Sequence, residues 1–175
     1  MSKSSELVRG KLLSILTDNE FHSGETLGTE LGISRASISN HINVLSSLGL
    51  VIYSVTGKGY CLSQPLKLLN VAKIRAQIIL SHTADIEVLN VIGSTNQYLK
   101  DKTNFIHNGH TCLAEAQTAG RGRHGRKWIS PFAASLYLSM HWSFTGGYSV
   151  LSGLSLAVGV AIVEALNQCD VHGIQ

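Results

Sequence analysis

The sequence predicts an α+β protein in two parts: a small helical domain that closes on a β-hairpin, then a larger domain around a mixed sheet. Three observations predict it. Apolar residues recur at helical spacing over residues 7–48, with capping residues at Ser23 and Ser34. From Ile86 onward, apolar runs bounded by Gly-rich and Ser/Thr-rich segments take over, the pattern of strands and their loops. Between the two, Gln64-Pro65 marks a change of character. The join falls between residues 62 and 68, giving domains at 1–64 and 65–175.

Composition narrows the class. Hydrophobic residues make up 44% of the 175 and charged residues 14%, which argues against a disordered chain. Two prolines exclude a Pro-rich linker. A net charge of +3 is too small to predict a nucleic-acid partner by itself. Residues 1–65 carry five basic and five acidic side chains and residues 66–175 carry nine and six, so the whole excess sits in the second part. Cys61, Cys112 and Cys169 are scattered without CxxC spacing, which fits reduced cytosolic thiols better than disulfides or zinc. The eight histidines show no ligand spacing, and no metal site is expected. Residues 150–166 carry one charge, Glu164, but fall short of the roughly 20 residues of a membrane span. Small residues such as Ser152, Gly153, Ala157 and Gly159 point instead to a buried helix packed closely on the sheet. A cytoplasmic protein with no membrane contact is the expectation.

Within the first part, Leu7, Val8, Leu12, Ile15 and Leu16 give helix one. Ser23 caps helix two, whose buried face carries Leu27 and Leu31, with Gly28 small where another helix must cross. Gly32 takes the positive φ of a tight turn, Ile33 plugs the corner and Ser34 caps helix three. Ile38, Ile42, Leu45 and Leu48 form its apolar stripe. Residues 51–55 and 59–62 then alternate around Thr56-Gly57-Lys58-Gly59 as a hairpin. This is the spacing of a winged helix-turn-helix. The outer face of helix three carries Arg35, Ser37, Ser39, Asn40 and Asn43. Arg reads guanine edges, Asn reads adenine edges and Ser binds phosphate or base. With Ser34 at the helix start and Lys58 at the wing tip, these are the candidate DNA contacts. So few cations make a monomer a weak binder that needs a two-fold partner.

The second part holds the candidate chemistry. An apolar run ends at Gly93 and Ser94-Thr95-Asn96 follows at once, placing hydroxyls and an amide at a strand's carboxyl end, suited to a polar ligand head. Plain helix capping by Ser94 or Thr95 explains these residues as well. A second strand, Thr111–Gln117, runs into Ala119-Gly120-Arg121-Gly122-Arg123-His124-Gly125-Arg126-Lys127-Trp128. Its glycines allow close backbone approach, and its arginines offer forked donors to phosphate oxygens. Mutual repulsion is expected to keep the loop mobile until an anion arrives. It is neither a Walker A loop nor a Rossmann fingerprint. Leu136 to Met140 forms a third strand with Tyr137 and Ser139 on one face. A further strand is expected to begin at Asp170.

The helix-turn-helix at residues 24–43, the wing Gly57-Lys58-Gly59-Tyr60, the run Ser94-Thr95-Asn96-Gln97-Tyr98-Leu99, residues 119–128 and Leu136 to Met140 occur in the order found in one family. Over nearly its whole length the chain resembles the bifunctional biotin protein ligases that double as biotin operon repressors. The resemblance implies a catalytic domain with a class II aminoacyl-tRNA synthetase-like mixed sheet, here truncated. The family continues with a Lys-Trp-Pro-Asn-Asp strand and a small barrel, so impaired or absent turnover is expected. It implies biotin and ATP as substrates with Mg2+, biotinyl-5'-AMP as the held intermediate, and transfer to a lysine of the biotin carboxyl carrier protein of acetyl-CoA carboxylase. By motif match, Ser94, Thr95, Asn96, Gln117, Arg121, Gly122, Arg123, Tyr137 and Ser139 contact biotin. Arg123, Arg126 and Trp128 face the adenylate, and Arg121 and Arg123 act in catalysis. Operator DNA and a homodimer formed on ligand binding complete the implied partners. His124 stands where a common family form has arginine. The competing readings are a ligand-sensing winged-helix regulator without catalysis, a lipoate-type ligase, and an RNA-binding module built on the basic loop.

Overall fold

The computed structural model describes residues 3–78, 85–122, 124, 126, 128–171 and 173. Helix α1 (Lys3–Leu16) buries Leu12, Leu13 and Leu16 completely. Helix α2 (Gly24–Leu31) starts where Ser23 Oγ accepts from Thr26 N at 3.0 Å and ends at Gly32, whose φ of +68° suits a residue without Cβ. Helix α3 (Arg35–Ser47) is capped by Ser34 Oγ, which accepts from Ser37 N at 3.2 Å, and buries Ile38, Ile42 and Leu45. One expected role changes. A Cβ on Gly28 would stand 2.7 Å from the carbonyl oxygen of Ile33, so the tight turn, not a crossing helix, requires glycine there.

Strands β1 (Ile52–Val55) and β2 (Gly59–Leu62) pair antiparallel with Ile52 opposite Leu62, forming the expected wing. The root of the wing is stitched to the helices by His22 and Tyr60, which exchange backbone hydrogen bonds of 2.9 and 2.8 Å.

After α4 (Val71–Gln77) comes a three-stranded mixed sheet in the order β3-β4-β5. Strand β3 (Ile86–Ile92) runs parallel to β4 (Thr111–Gln117), and β5 (Tyr137–Met140) runs antiparallel to β4. Parallel neighbours need a crossover, which α5 (Thr95–Asp101) supplies. Central β4 is buried from Thr111 to Ala116, as a strand covered on both faces must be. Val91, Ala116 and Phe132 share one apolar cluster with Leu12, Leu27, Ile38 and Leu45, and Leu66 and Leu68 pack against it. The core therefore runs across the join at 62–68. All of this lies in one compact unit, Met1–His141.

The second unit, Trp142–Gln175, contains a short 3-10 turn, Tyr148–Leu151, and helix α6 (Leu154–Gln168). Here the sequence reading fails twice. No residue of α6 is buried: small side chains permit close packing but do not themselves supply a surface to pack on. The length argument also falls, because the turn extends the run. Tyr148–Gln168 is 21 residues with a mean hydropathy of 2.0, long and apolar enough to cross a membrane by length and composition. The strand expected from Asp170 meets a turn with φ +58° at that residue, and residues 172, 174 and 175 lie outside the described ones.

Candidate functional site

The carboxyl ends of β3 and β4 lie side by side, Ile92 opposite Gln117. The pairing continues one step further, with Thr118 N and Ala119 N donating to Ile92 O and Gly93 O at 2.9 and 2.7 Å. The polar start of α5 and the glycine–arginine loop therefore leave the sheet at the same place, the crevice where parallel strands present ligand sites. Ser94 caps α5, its Oγ accepting from Gln97 N at 3.4 Å. The same residue caps the helix and lines the hollow between the strand ends.

Thr95 is the centre of the arrangement. It is 3% exposed, and its backbone N and Oγ1 both donate to Gln117 Oε1, at 2.9 and 3.2 Å. The same Oγ1 shares a hydrogen with Ser139 Oγ at 2.8 Å. Three polar side chains from α5, β4 and β5 thereby hold one another in place. Buried Tyr137 donates its OH to Pro131 O at 3.0 Å, which fixes the ring as a wall.

Around a hollow of about 280 Å³ the structure gathers Ser94, Thr95 and Asn96 from the start of α5, Gln117 from the end of β4, Tyr137 and Ser139 from β5, and Arg121 and Trp128 from the loop. That volume is near the lower end of small-molecule sites, ~300 Å³. Sequence reasoning missed Gly120, Leu136 and Leu138 in the same lining. A Cβ on Gly120 would overlap the indole of Trp128, so glycine is what admits the ring. Alternation assigns the two leucines to the face opposite Tyr137 and Ser139, so the sequence carried no signal for them. A second hollow of about 220 Å³ shares Ser94, Asn96 and Arg121 and adds Gln97 and Lys100. Lys100 was also missed, although it follows Asn96 by the four residues that put two side chains on one helix face.

Two expected residues do not line the hollow. Gly122 N donates to Arg126 O at 3.2 Å, so both serve to close the loop on itself. Arg123 and Lys127 lie outside the described residues. Among the described residues no carboxylate lines either hollow and the charged ones are Arg121 and Lys100, so the site suits an anionic ligand. Among the described residues no group of three or more His, Cys, Asp or Glu is placed to hold a metal ion.

On the other candidate surface, Arg35, Asn40 and Asn43 are exposed along α3, while Ser37 and Ser39 are half-buried. The Ser34 and Ser37 hydroxyls bond each other at 3.0 Å within the cap. Lys58 is exposed at the wing tip, its ammonium 5.8 Å from the Phe21 ring.

Residues 9–61 match the family described as an HTH domain, and residues 88–175 match the biotin/lipoate A/B protein ligase family. The chain is 48% identical over 157 residues to the bifunctional ligase/repressor BirA of Salmonella typhimurium, covering 90% of this chain and 48% of that protein. It is 48% identical over 158 residues to the BirA protein of Escherichia coli, with the same coverage of 90% and 48%. It is 34% identical over 84 residues to the biotin–[acetyl-CoA-carboxylase] ligase of Mycobacterium tuberculosis, 46% of this chain and 32% of that one. The chain spans about half the length of the BirA proteins it matches.

Proposed function

The chain belongs to the biotin/lipoate A/B protein ligase family, and from that premise we propose that it serves ATP-dependent ligation of biotin to a carrier protein and repression of transcription through its winged helix. One observation carries the reading: hydrogen-bonding groups from three separate elements and the arginine loop converge on one hollow. Thr95, Gln117 and Ser139 offer hydroxyls and an amide to the polar head of biotin, while Ser94 and Asn96 flank it. Tyr137 is the wall against its apolar ring system. Arg121, and by motif Arg123, face the carboxylate and the phosphate it attacks; Arg126 and Trp128 serve the adenylate.

In this reading a carboxylate oxygen of biotin bonds to the α-phosphorus of ATP, and the bond to pyrophosphate breaks. The carrier lysine then attacks the acyl carbon and AMP leaves. Fixed cationic donors stabilise charge that develops on phosphate, and a folded loop excludes the water that would hydrolyse the mixed anhydride. Among the described residues no carboxylate lines the hollow, so Mg2+ would enter as counter-ion of the triphosphate rather than in a protein cage. Arg35, Asn40 and Asn43 reach operator bases and Lys58 reaches phosphate, with a ligand-promoted homodimer matching a two-fold site. The functional boundary stays at 64/65, with the DNA-binding domain at 1–64. ATP and a carrier protein as substrates support a cytoplasmic location for this chain.

The test is calorimetry with biotin, lipoate and biotinyl-5'-AMP, followed by pyrophosphate release. The reading requires biotin to bind, lipoate to fail to compete, and the adenylate to bind more tightly than biotin. A chain that binds neither biotin nor its adenylate yet binds DNA would overturn the ligase half of it.

A further inference from the structure

Glu87 lies on β3 outside both hollows. Its Oε2 accepts from Tyr98 OH at 2.5 Å, and Lys102 Nζ donates to Oε1 and Oε2 at 3.0 and 3.2 Å. His110 Nε2 bonds Oε1 at 2.7 Å. Lys102 Nζ also reaches Tyr98 OH and lies 4.1 Å from the centre of its ring. Asp85 stands 3.8 Å from the other ring nitrogen of His110, and Cys112 sits opposite Glu87 in the β3–β4 pairing. Burial alone would raise the pKa of Glu87, but the hydrogen bonds from Tyr98, Lys102 and His110 and the charge of Lys102 outweigh it and bring it to about 2. The carboxylate is therefore charged throughout the neutral range. The same charge adds to burial in pushing the Cys112 thiol up to about 11.

Helix α5 has only seven residues, well under the ~12 at which an isolated helix begins to hold itself. Besides burying Leu99, it is tied down by side-chain hydrogen bonds at two places. At its start Thr95 is bound to Gln117 and Ser139; at its end Tyr98 and Lys102 are bound to Glu87. The first tie is made of the groups assigned above to the ligand head. A ligand that engages Gln117 Oε1 or the Thr95 and Ser139 hydroxyls draws on the same donors and acceptors. The second tie lies outside the hollow and survives.

We propose that Glu87 is a positioning residue: by holding Tyr98 and Lys102 it keeps α5, and with it Ser94, Thr95 and Asn96, in place while a ligand fills the hollow. This rests on the biotin reading. The test is calorimetry of the full chain with biotin. Glu87→Ala is expected to raise Kd by roughly tenfold, equal to ~1.4 kcal/mol, with the number of sites unchanged. Glu87→Gln, which still accepts from Tyr98, recovers part of the loss. A merely structural role gives the opposite pattern, fewer sites with an unchanged Kd, and that result overturns the proposal. Should Glu87→Ala fail to fold, Tyr98→Phe removes the hydroxyl that bonds Glu87 and Lys102 with little change of shape, and an unchanged Kd there overturns it equally. Failure of the unaltered chain to bind biotin sinks the functional reading and the proposal together. Equal binding by the unaltered chain and a folded Glu87→Ala sinks the proposal alone.

Discussion

Thr95→Val is the sharpest probe of the site. Valine matches threonine in shape, so no cavity opens, and only the hydroxyl is lost. The structure assigns that hydroxyl two bonds, to Gln117 Oε1 at 3.2 Å and Ser139 Oγ at 2.8 Å. Gln117 is not stranded, because the Thr95 backbone N still donates to it at 2.9 Å. Ser139 is half-buried and can turn to solvent. Two neutral hydrogen bonds at ~0.5–1.5 kcal/mol each, with no stranded partner, place the loss of stability at about 1–3 kcal/mol. At this chain length that lowers Tm by roughly 3–9 °C. Biotin binding suffers as well, because a polar head would face a methyl group and leave its own partner unmet, an unsatisfied bond worth ~1–3 kcal/mol or roughly five- to 150-fold in Kd. Thermal unfolding and biotin calorimetry on Thr95→Val and Thr95→Ser measure both. If Thr95→Val binds biotin as tightly as the unaltered chain, or Thr95→Ser is as weak as Thr95→Val, the hydroxyl does not read the ligand and the argument fails.

Gly120→Ala is expected to displace the Trp128 indole that its Cβ would overlap, seen as a shift in tryptophan emission together with weaker biotinyl-5'-AMP binding; an unchanged spectrum counts against Trp128 as part of the wall. Arg35→Ala is expected to reduce operator binding in a mobility-shift assay while biotin affinity stays as it was, since Arg35 is exposed on α3; loss of both would mean that it acts on folding. Buried Glu115 has its pKa raised above the ordinary 4.5 by desolvation, against the pull of its hydrogen bond from Leu69 N. A carboxyl whose folded pKa is raised destabilises the fold at higher pH and ceases to as it protonates. Glu115→Gln, which keeps the acceptor, is therefore expected to raise Tm at pH 7 and to leave it unchanged at pH 4. Glu87 has the opposite sign: its depressed pKa contributes stability that is present above 4.5 and lost as pH falls toward about 2, which acid unfolding of Glu87→Gln beside the unaltered chain would reveal.

Much of this protein is legible along the chain because the rules involved are local. Ser23, Ser34 and Ser94 cap helices since a short hydroxyl side chain can reach an amide three residues on, and Gly32 ends a helix since its φ is positive. The wing and the three strands follow from periodicity and glycine placement. Tertiary structure alone decided the rest. That Thr95 rather than Ser94 or Asn96 is the hub depends on Gln117 and Ser139, 22 and 44 residues away, arriving at the same point through strand pairing. Nothing along the chain marks Glu87, because its partners Tyr98, Lys102 and His110 are brought to it only by the fold. Helix α6 carried a burial signal in its small residues, yet burial needs an opposing surface, and no pattern within one helix can say whether that surface is there. Local chemistry names the elements and their caps; only distant segments meeting in space settle which side chains share a hydrogen bond and which apolar faces are covered.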